Sequence, residues 1–214
     1  MTSASMSTTS YAILGYLAIR PWTAYELTKQ MGRTFNHFWP RAESGIYREM
    51  KRLVADGLAR SSDDQEGRRP RTRYEITAAG HDALRAWLSE PRSDGFLESE
   101  AMVRLLFADH GTKGDITDLL DSMVADVGAR GEQMAQLMQE YLVTGGQFPN
   151  RAHINVLIAR FLVDFSAMVH DWAEWSTEYI DSWPDVGERE ADDATRARIR
   201  DTIAAAEAID DAVR

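Results

Sequence analysis

The chain has 214 residues, no cysteine and a net charge of −10. That length is enough for one or two domains with a real core. The lack of thiols excludes a disulfide framework and a zinc-thiolate site. The charge argues against a nucleic-acid binder only as an average. Residues 1–90 hold 13 Lys and Arg against 10 Asp and Glu (+3), whereas residues 91–214 hold 11 against 24 (−13). An acidic half repels a phosphate backbone, while the basic half tolerates one.

Residues 1–8 are rich in Ser and Thr and are expected to be disordered; they lack the basic and apolar regions of a signal peptide. From about Thr9 to Ile19 the residues Tyr11, Ile13, Leu14, Leu17 and Ala18 predict a short helix, which Arg20-Pro21 stops. Thr23-Ala24-Tyr25-Glu26 reads as a capping box opening a second helix to about Met31. A loop from Gly32 to Pro40 carries Phe35, Phe38 and Trp39, which suit plugs for a small three-helix core.

The stretch Glu43–Thr77 organises the chain. At 100° per residue, Ile46, Met50, Leu53 and Val54 share one arc, with Tyr47 at its edge; Ser44, Arg48, Lys51, Arg52 and Ala55 share the opposite one. Gly57 follows where a left-handed cap is expected. Residues Leu58–Ser61 and Thr72–Thr77 suit two strands, and the turn between them, Gln65 to Arg71, is loaded with guanidinium groups. A small helix with a cationic outer face, followed by a cationic hairpin, is the layout of a winged helix-turn-helix. Its helix can enter a major groove and its hairpin tip can reach flanking phosphates.

The blocks YAILGYL, AYELTKQM, FWPRAESGIYREMKRLVADGL and RPRTRYEITAAG, over roughly residues 10–90, resemble the PadR family of transcriptional regulators. The remainder of the chain resembles the larger, Vir-type branch of that family, in which a long helical C-terminal domain makes the dimer. The resemblance implies a winged-helix DNA binder, usually a repressor and usually responsive to a small molecule or stress. The DNA-contacting residues are expected to be Ser44, Gly45, Tyr47, Arg48, Lys51 and Arg52 on the helix, with Arg68, Arg69, Arg71 and Arg73 on the wing. The chain departs from the family pattern at Ala42 and Gly45. Glu43 between them could accept from a cytosine amino group.

Thr77 is the expected N-cap of the next helix, with Ala83, Leu84, Trp87 and Leu88 as its apolar stripe. The winged-helix domain is thus expected over 9–90 and a linker over 91–97. A helical dimerisation domain should cover 98–183, with a helical tail from 184 to 214. Within the second domain, a helix from about Glu98 to His110 should bury Met102, Leu105, Leu106 and Phe107. Gly111 ends it, and Thr112 with Asp115 caps the next.

Two long helices then carry matching heptads. The first reads Ile116, Leu120, Met123, Val127, Arg130, Met134, Leu137 and Tyr141. The second reads Ile154, Ile158, Phe161, Phe165, Met168, Trp172, Trp175 and Tyr179. The loop at 145–150 is short enough for an antiparallel hairpin. Because the second helix adds Leu157, Leu162 and Val169, its apolar surface is wider than one partner covers. A second subunit is therefore expected on Ile154, Ile158, Phe161, Phe165, Met168 and Trp172. Any effector is expected to be small, planar and neutral or cationic, at Trp172, Trp175 and Tyr179, given Asp171, Glu174, Glu178 and Asp181 around them. The run Ile154–Val169 is too short and too charged to span a bilayer, so no membrane partner is expected.

No GxGxxG, P-loop, GxSxG or HExxH motif is present, and the five histidines do not fall at ligand spacing. No catalytic residue, metal or cofactor is expected. The fold class is mainly α: three helices plus a two-stranded wing, then a long-helix dimerisation domain. The function expected is a cytoplasmic, dimeric, effector-released regulator, most simply a repressor, on an inverted-repeat operator in double-stranded DNA. The alternative is a helical interaction module whose winged helix no longer binds DNA. Six convergent cations (Arg48, Lys51, Arg68, Arg69, Arg71 and Arg73) favour the first.

Overall fold

The structure, a computed structural model, describes residues 6–35, 43–64, 71–90, 98–187 and 190–213. The chain forms two compact units, Met1–Phe96 and Leu97–Arg214.

In the first unit, Ser7 caps α1 (Thr8–Ile19) by accepting from the Ser10 amide. The expected disorder over 1–8 therefore stops short of Ser7 and Thr8; residues 1–5 lie outside the described set. After α1 come β1 (Trp22–Thr23), α2 (Ala24–Phe35), α3 (Glu43–Ala55), β2 (Ala59–Asp64), β3 (Arg71–Ile76) and α4 (Ala78–Ser89). The strands β2 and β3 pair antiparallel from Ala59↔Ile76 to Asp64↔Arg71. β1 adds to the other edge of β3 through Trp22↔Tyr74 and Thr23↔Arg73, giving the order β1-β3-β2. The expected two-stranded wing is thus rooted in a three-stranded sheet. Two residues are too few to show a strand period, so this pairing had no signal of its own in the sequence.

The core of this unit is closed. Ile13, Leu14, Leu27, Met50 and Leu53 are all within 1% of full burial. Trp22 is the keystone: its Nε1–H donates to the Tyr16 carbonyl at 2.8 Å, Tyr16 meets its ring edge-on, and the Arg20 guanidinium sits 3.4 Å from its centroid. Trp87 of α4 stacks on Tyr11 with centroids 4.8 Å apart. Leu88, expected in the same stripe, points outward and is 68% exposed, because it lies 100° around the helix from Trp87. The Phe35 side chain, Phe38 and Trp39, expected as core plugs, lie outside the described residues.

The second unit contains α5 (Glu100–Leu106), a 3₁₀ turn at Ala108–His110, α6 (Lys113–Thr144), α7 (Ala152–Asp181) and α8 (Asp193–Val213). α5 is shorter than expected, because the backbone leaves helical geometry at Phe107. The apolar stripe is interrupted there. Leu105 packs on the Ile116 and Leu120 cluster, whereas Leu106 and Phe107 are exposed. The capping box forms as read: the Thr112 amide and hydroxyl both donate to Asp115 at 2.7 Å. α6 ends at Gly145, whose φ of +79° closes the helix in the left-handed region.

α6 buries Ile116, Leu120, Val127 and Met134 of its heptad, while Arg130 turns aside to pair with Asp126 at 2.9 Å. α7 does something the sequence did not suggest. The side chains it buries are Ala159, Val169, Ala173, Ser176 and Ile180, with Asn155, Leu162 and Ser166 half-buried. Those eight follow the same alternation of four and three residues as the large heptad, one step out of phase. α7 therefore carries two apolar seams about 100° apart. The inner one, built largely of small residues, receives the larger side chains of α6. The outer one leaves Phe161 63% and Met168 51% exposed.

The expectation that the Ile154 stretch is too short for a bilayer is corrected on length. The helical run Pro149–Asp181 contains an 18-residue stretch with a mean hydropathy of 1.5, and by length and composition alone it could cross a membrane. Two apolar seams on one helix account for that composition, and Arg160 is paired with Asp164 near its middle.

Candidate nucleic-acid interface

α3 is held from both ends. Its inner face is sealed by Ile46, Met50 and Leu53. Glu49 accepts from the buried Ser10 hydroxyl of α1 at 2.6 Å, which fixes α3 against α1. At its C-terminus the Gly57 amide donates to the Val54 carbonyl and the Leu58 amide to the Leu53 carbonyl, a complete Schellman closure with Gly57 at φ +73°. Thr77 then ties this end to α4. Its hydroxyl donates to the Gly57 carbonyl at 2.8 Å and accepts from the Gly80 amide at 3.1 Å. A Cβ at Gly80 would meet the Leu58 carbonyl oxygen at 2.1 Å, so this crossing needs glycine.

With the inner face sealed, the outer face is determined. Ser44, Arg48 and Lys51 are exposed, Tyr47 is 38% exposed and Gly45 is half-buried beside them. This is a helix surface of hydroxyl, aromatic and cationic groups that a groove of base edges can accept. Arg52 lies at its flank, between Glu49 at 3.9 Å and Asp56 at 3.5 Å. Arg73 lies in mid-strand opposite Thr23 and Ser62, half-buried and close enough to Glu26 to help hold that carboxyl down. Periodicity puts Arg52 on the outer arc and charge puts Arg73 on the wing; both have acids beside them, those of Arg52 one helical turn away on α3 and past its end, that of Arg73 on α2. Arg68, Arg69 and the Arg71 side chain lie outside the described residues; the Arg71 backbone opens β3.

α2 carries an exposed stripe that its sequence periodicity also encodes. Tyr25, Lys29 and Arg33 are its exposed residues among those described, four apart and therefore aligned; Tyr25 is 69% exposed. The acid of that helix, Glu26, is turned inward instead. The Thr23 amide and hydroxyl both donate to it at 2.9 Å. The amide bond is the main reason its pKa lies below 4.5, with Arg20 and Arg73 adding to the effect. The outward side of α2 is thereby purely cationic and hydroxylic.

In the second unit, Ile154, Ile158, Phe161 and Met168 are exposed, Phe165 is half-buried, and Trp172 packs on the cluster of Ile116, Leu120, Ala173 and Ile180. Trp175 and Tyr179 have a neighbour that sequence reading left undecided. The Tyr179 hydroxyl donates to Thr195 of α8 at 2.8 Å, and the Arg198 guanidinium lies 5.3 Å and 5.9 Å from the Trp175 and Tyr179 ring centres. The helical tail is therefore docked by its first turns at the place expected for an effector. His170, Asp171 and Glu174 come within 4.8 Å of one another, as positions within one turn of a helix can, and all three are exposed to solvent.

Comparison with known proteins supplies the family. Residues 13–86 match the model of the transcriptional regulator PadR-like family. A curated relative, the negative transcriptional regulator PadR of Bacillus subtilis, is 30% identical over 84 residues; the match spans 39% of this chain and 46% of that protein. The fold is similar to that of Bacillus subtilis PadR in complex with operator DNA, at TM-score 0.69 and 20% identity over 81% of this chain and 99% of the other. It is also similar to the same protein in complex with p-coumaric acid, at TM-score 0.64 and 21% identity over 82% and 100%. The chain carries, at residues 13–86, a domain of the transcriptional regulator PadR-like family.

Proposed function

We propose that the protein is a DNA-binding transcriptional repressor that acts as a homodimer in the cytoplasm. The observation that carries this reading is the outer face of α3, where Ser44, Tyr47, Arg48 and Lys51 project from a helix whose opposite face is sealed into the core. α3 lies in the major groove, where Arg48 with Ser44 and Tyr47 reads base edges. Lys51, the α2 stripe of Tyr25, Lys29 and Arg33, and the wing arginines Arg68, Arg69 and Arg71 hold phosphates. The family match and the negative regulation by the curated relative support the assignment. Two copies joined through the outer seam of α7 present two recognition helices about a two-fold axis. The operator is accordingly an inverted repeat with half-sites on one face of the duplex, about 34 Å or a multiple apart.

A small planar effector releases the DNA by binding at the aromatic end of α7, and it must bind the DNA-competent and incompetent states with different affinity to do so. Arg198 lies over Trp175 and Tyr179, so a planar, neutral or cationic effector there takes the place of its guanidinium. A gel shift on the DNA upstream of the protein's own gene, across a salt series, tests the reading. The expected result is a specific complex that weakens steeply with salt. Absence of any complex at low salt overturns it.

A further inference from the structure

We infer that α8 is part of the dimer interface, its isoleucine stripe packing against a second copy of this chain. The inference rests on the proposed association through α7 and extends it to the tail. α8 spans Asp193–Val213, 21 residues, yet among its described side chains the anchoring contacts lie near its start. Thr195, Ala197 and Arg198 are the half-buried positions among its described side chains; the others are exposed. Beyond the anchor, Ile199, Ile203 and Ile209 are 50%, 52% and 67% exposed and share an arc of about 120° at helical spacing. A helix this long with an apolar stripe in water draws its stability from a surface that covers the stripe.

The anchor says which surface that is. Thr195 and Arg198 hold Tyr179 and Trp175, which are the last two positions of the outer heptad of α7. That heptad is itself open along Ile154, Ile158, Phe161 and Met168. The stripe of α8 thus begins where the open seam of α7 ends. Packed helices lie about 8–10 Å apart, so a helix that covers the seam as far as Trp175 abuts the root of α8. A second copy brings both an α7 seam and an α8 stripe, so one two-fold contact covers all four surfaces. Charge favours the docked position of α8. Arg196, Arg198 and Arg200 sit in its first turns, and the end of α7 that receives it carries Glu174, Glu178 and Asp181.

The test compares the full-length protein with Ile199→Glu/Ile203→Glu and with a chain truncated after Gly187, by sedimentation over a concentration series. Ile199 and Ile203 are half exposed in the protomer, so the double variant leaves its fold in place. Both altered proteins are expected to dimerise at least about tenfold more weakly than wild type. In the wild type, amide exchange over 199–209 should slow as concentration rises through the dimer dissociation constant. If the full-length protein is a dimer and both altered proteins associate equally well, α8 lies outside the interface and the inference falls. It falls equally if exchange in α8 is independent of concentration. A full-length protein that stays monomeric at micromolar concentration overturns the α7 dimer itself.

Discussion

The two units solve the burial problem in opposite ways. In the first, α1, α2, α3 and the small sheet seal Leu14, Trp22, Met50 and Leu53, and Lys29, Arg33, Ser44, Arg48 and Lys51 are among the residues turned outward. In the second, the α6–α7 hairpin seals one seam and leaves a second, richer one in water. A closed core gives a stability independent of concentration. If the proposed dimer covers the open seam, stability and assembly become inseparable there. The first unit presents a polar surface over a sealed core, and the second leaves an apolar seam exposed.

The largest effect should come from breaking the open side. Phe161→Glu places a charge in the outer seam, where pairing would have to desolvate it. The variant should be monomeric by sedimentation at micromolar concentration. Its operator affinity should fall on the order of a hundredfold, because two half-sites no longer bind as one unit. On the closed side, Leu53→Ala should destabilise the first unit by about 2–5 kcal/mol, the cost of a cavity that cannot collapse, and the loss should not vary with protein concentration in denaturant melts. A dependence on concentration there would erase the distinction between the units.

Smaller effects sharpen the outward faces. Arg48→Ala should cost about 1–3 kcal/mol on the specific operator only. Lys29→Ala and Arg33→Ala should weaken specific and random DNA alike and lower the salt slope by about 1 each. If the α2 substitutions leave the slope unchanged, that helix does not approach the backbone.

The smallest effect belongs to the cap of α2. Thr23→Ala should cost about 0.5–2 kcal/mol in thermal melts. Because the Glu26 carboxyl is held below its ordinary 4.5 in the folded state, its contribution is complete above that value and is lost as pH falls through the folded value. Glu26→Gln should therefore flatten the stability curve below pH 4.5 and leave no trace of this contribution in its shape near neutrality.

Legibility followed the same division. α3 ran over the residues that its 100° periodicity indicated, and Gly57 closed it where a left-handed residue was required. The capping boxes at Thr23 and Thr112 formed because both partners lie three residues apart, within reach of local sequence. β1 escaped notice because a two-residue strand exists only through its partner. Arg73 is placed on the wing by charge, and its acidic neighbour Glu26, distant in sequence, is brought beside it only by the fold. α7 misled for a different reason. Large apolar side chains dominate any hydrophobic period, so the small seam of Ala159, Ala173 and Ser176 was masked by the heptad beside it.

The sequence by itself determined the winged-helix layout, the cationic face of α3, the capping residues and the two long helices. Each of these depends on residues within a few positions of one another, or on a period sustained along one element. Only the tertiary structure decided which seam of α7 faces α6, that the wing is rooted by Trp22, that Tyr25, Lys29 and Arg33 are the exposed residues among those described on α2, and that α8 docks on Trp175 and Tyr179. Those choices depend on which side chains fit against a distant element, and fit is a property of two surfaces that no single stretch of chain contains.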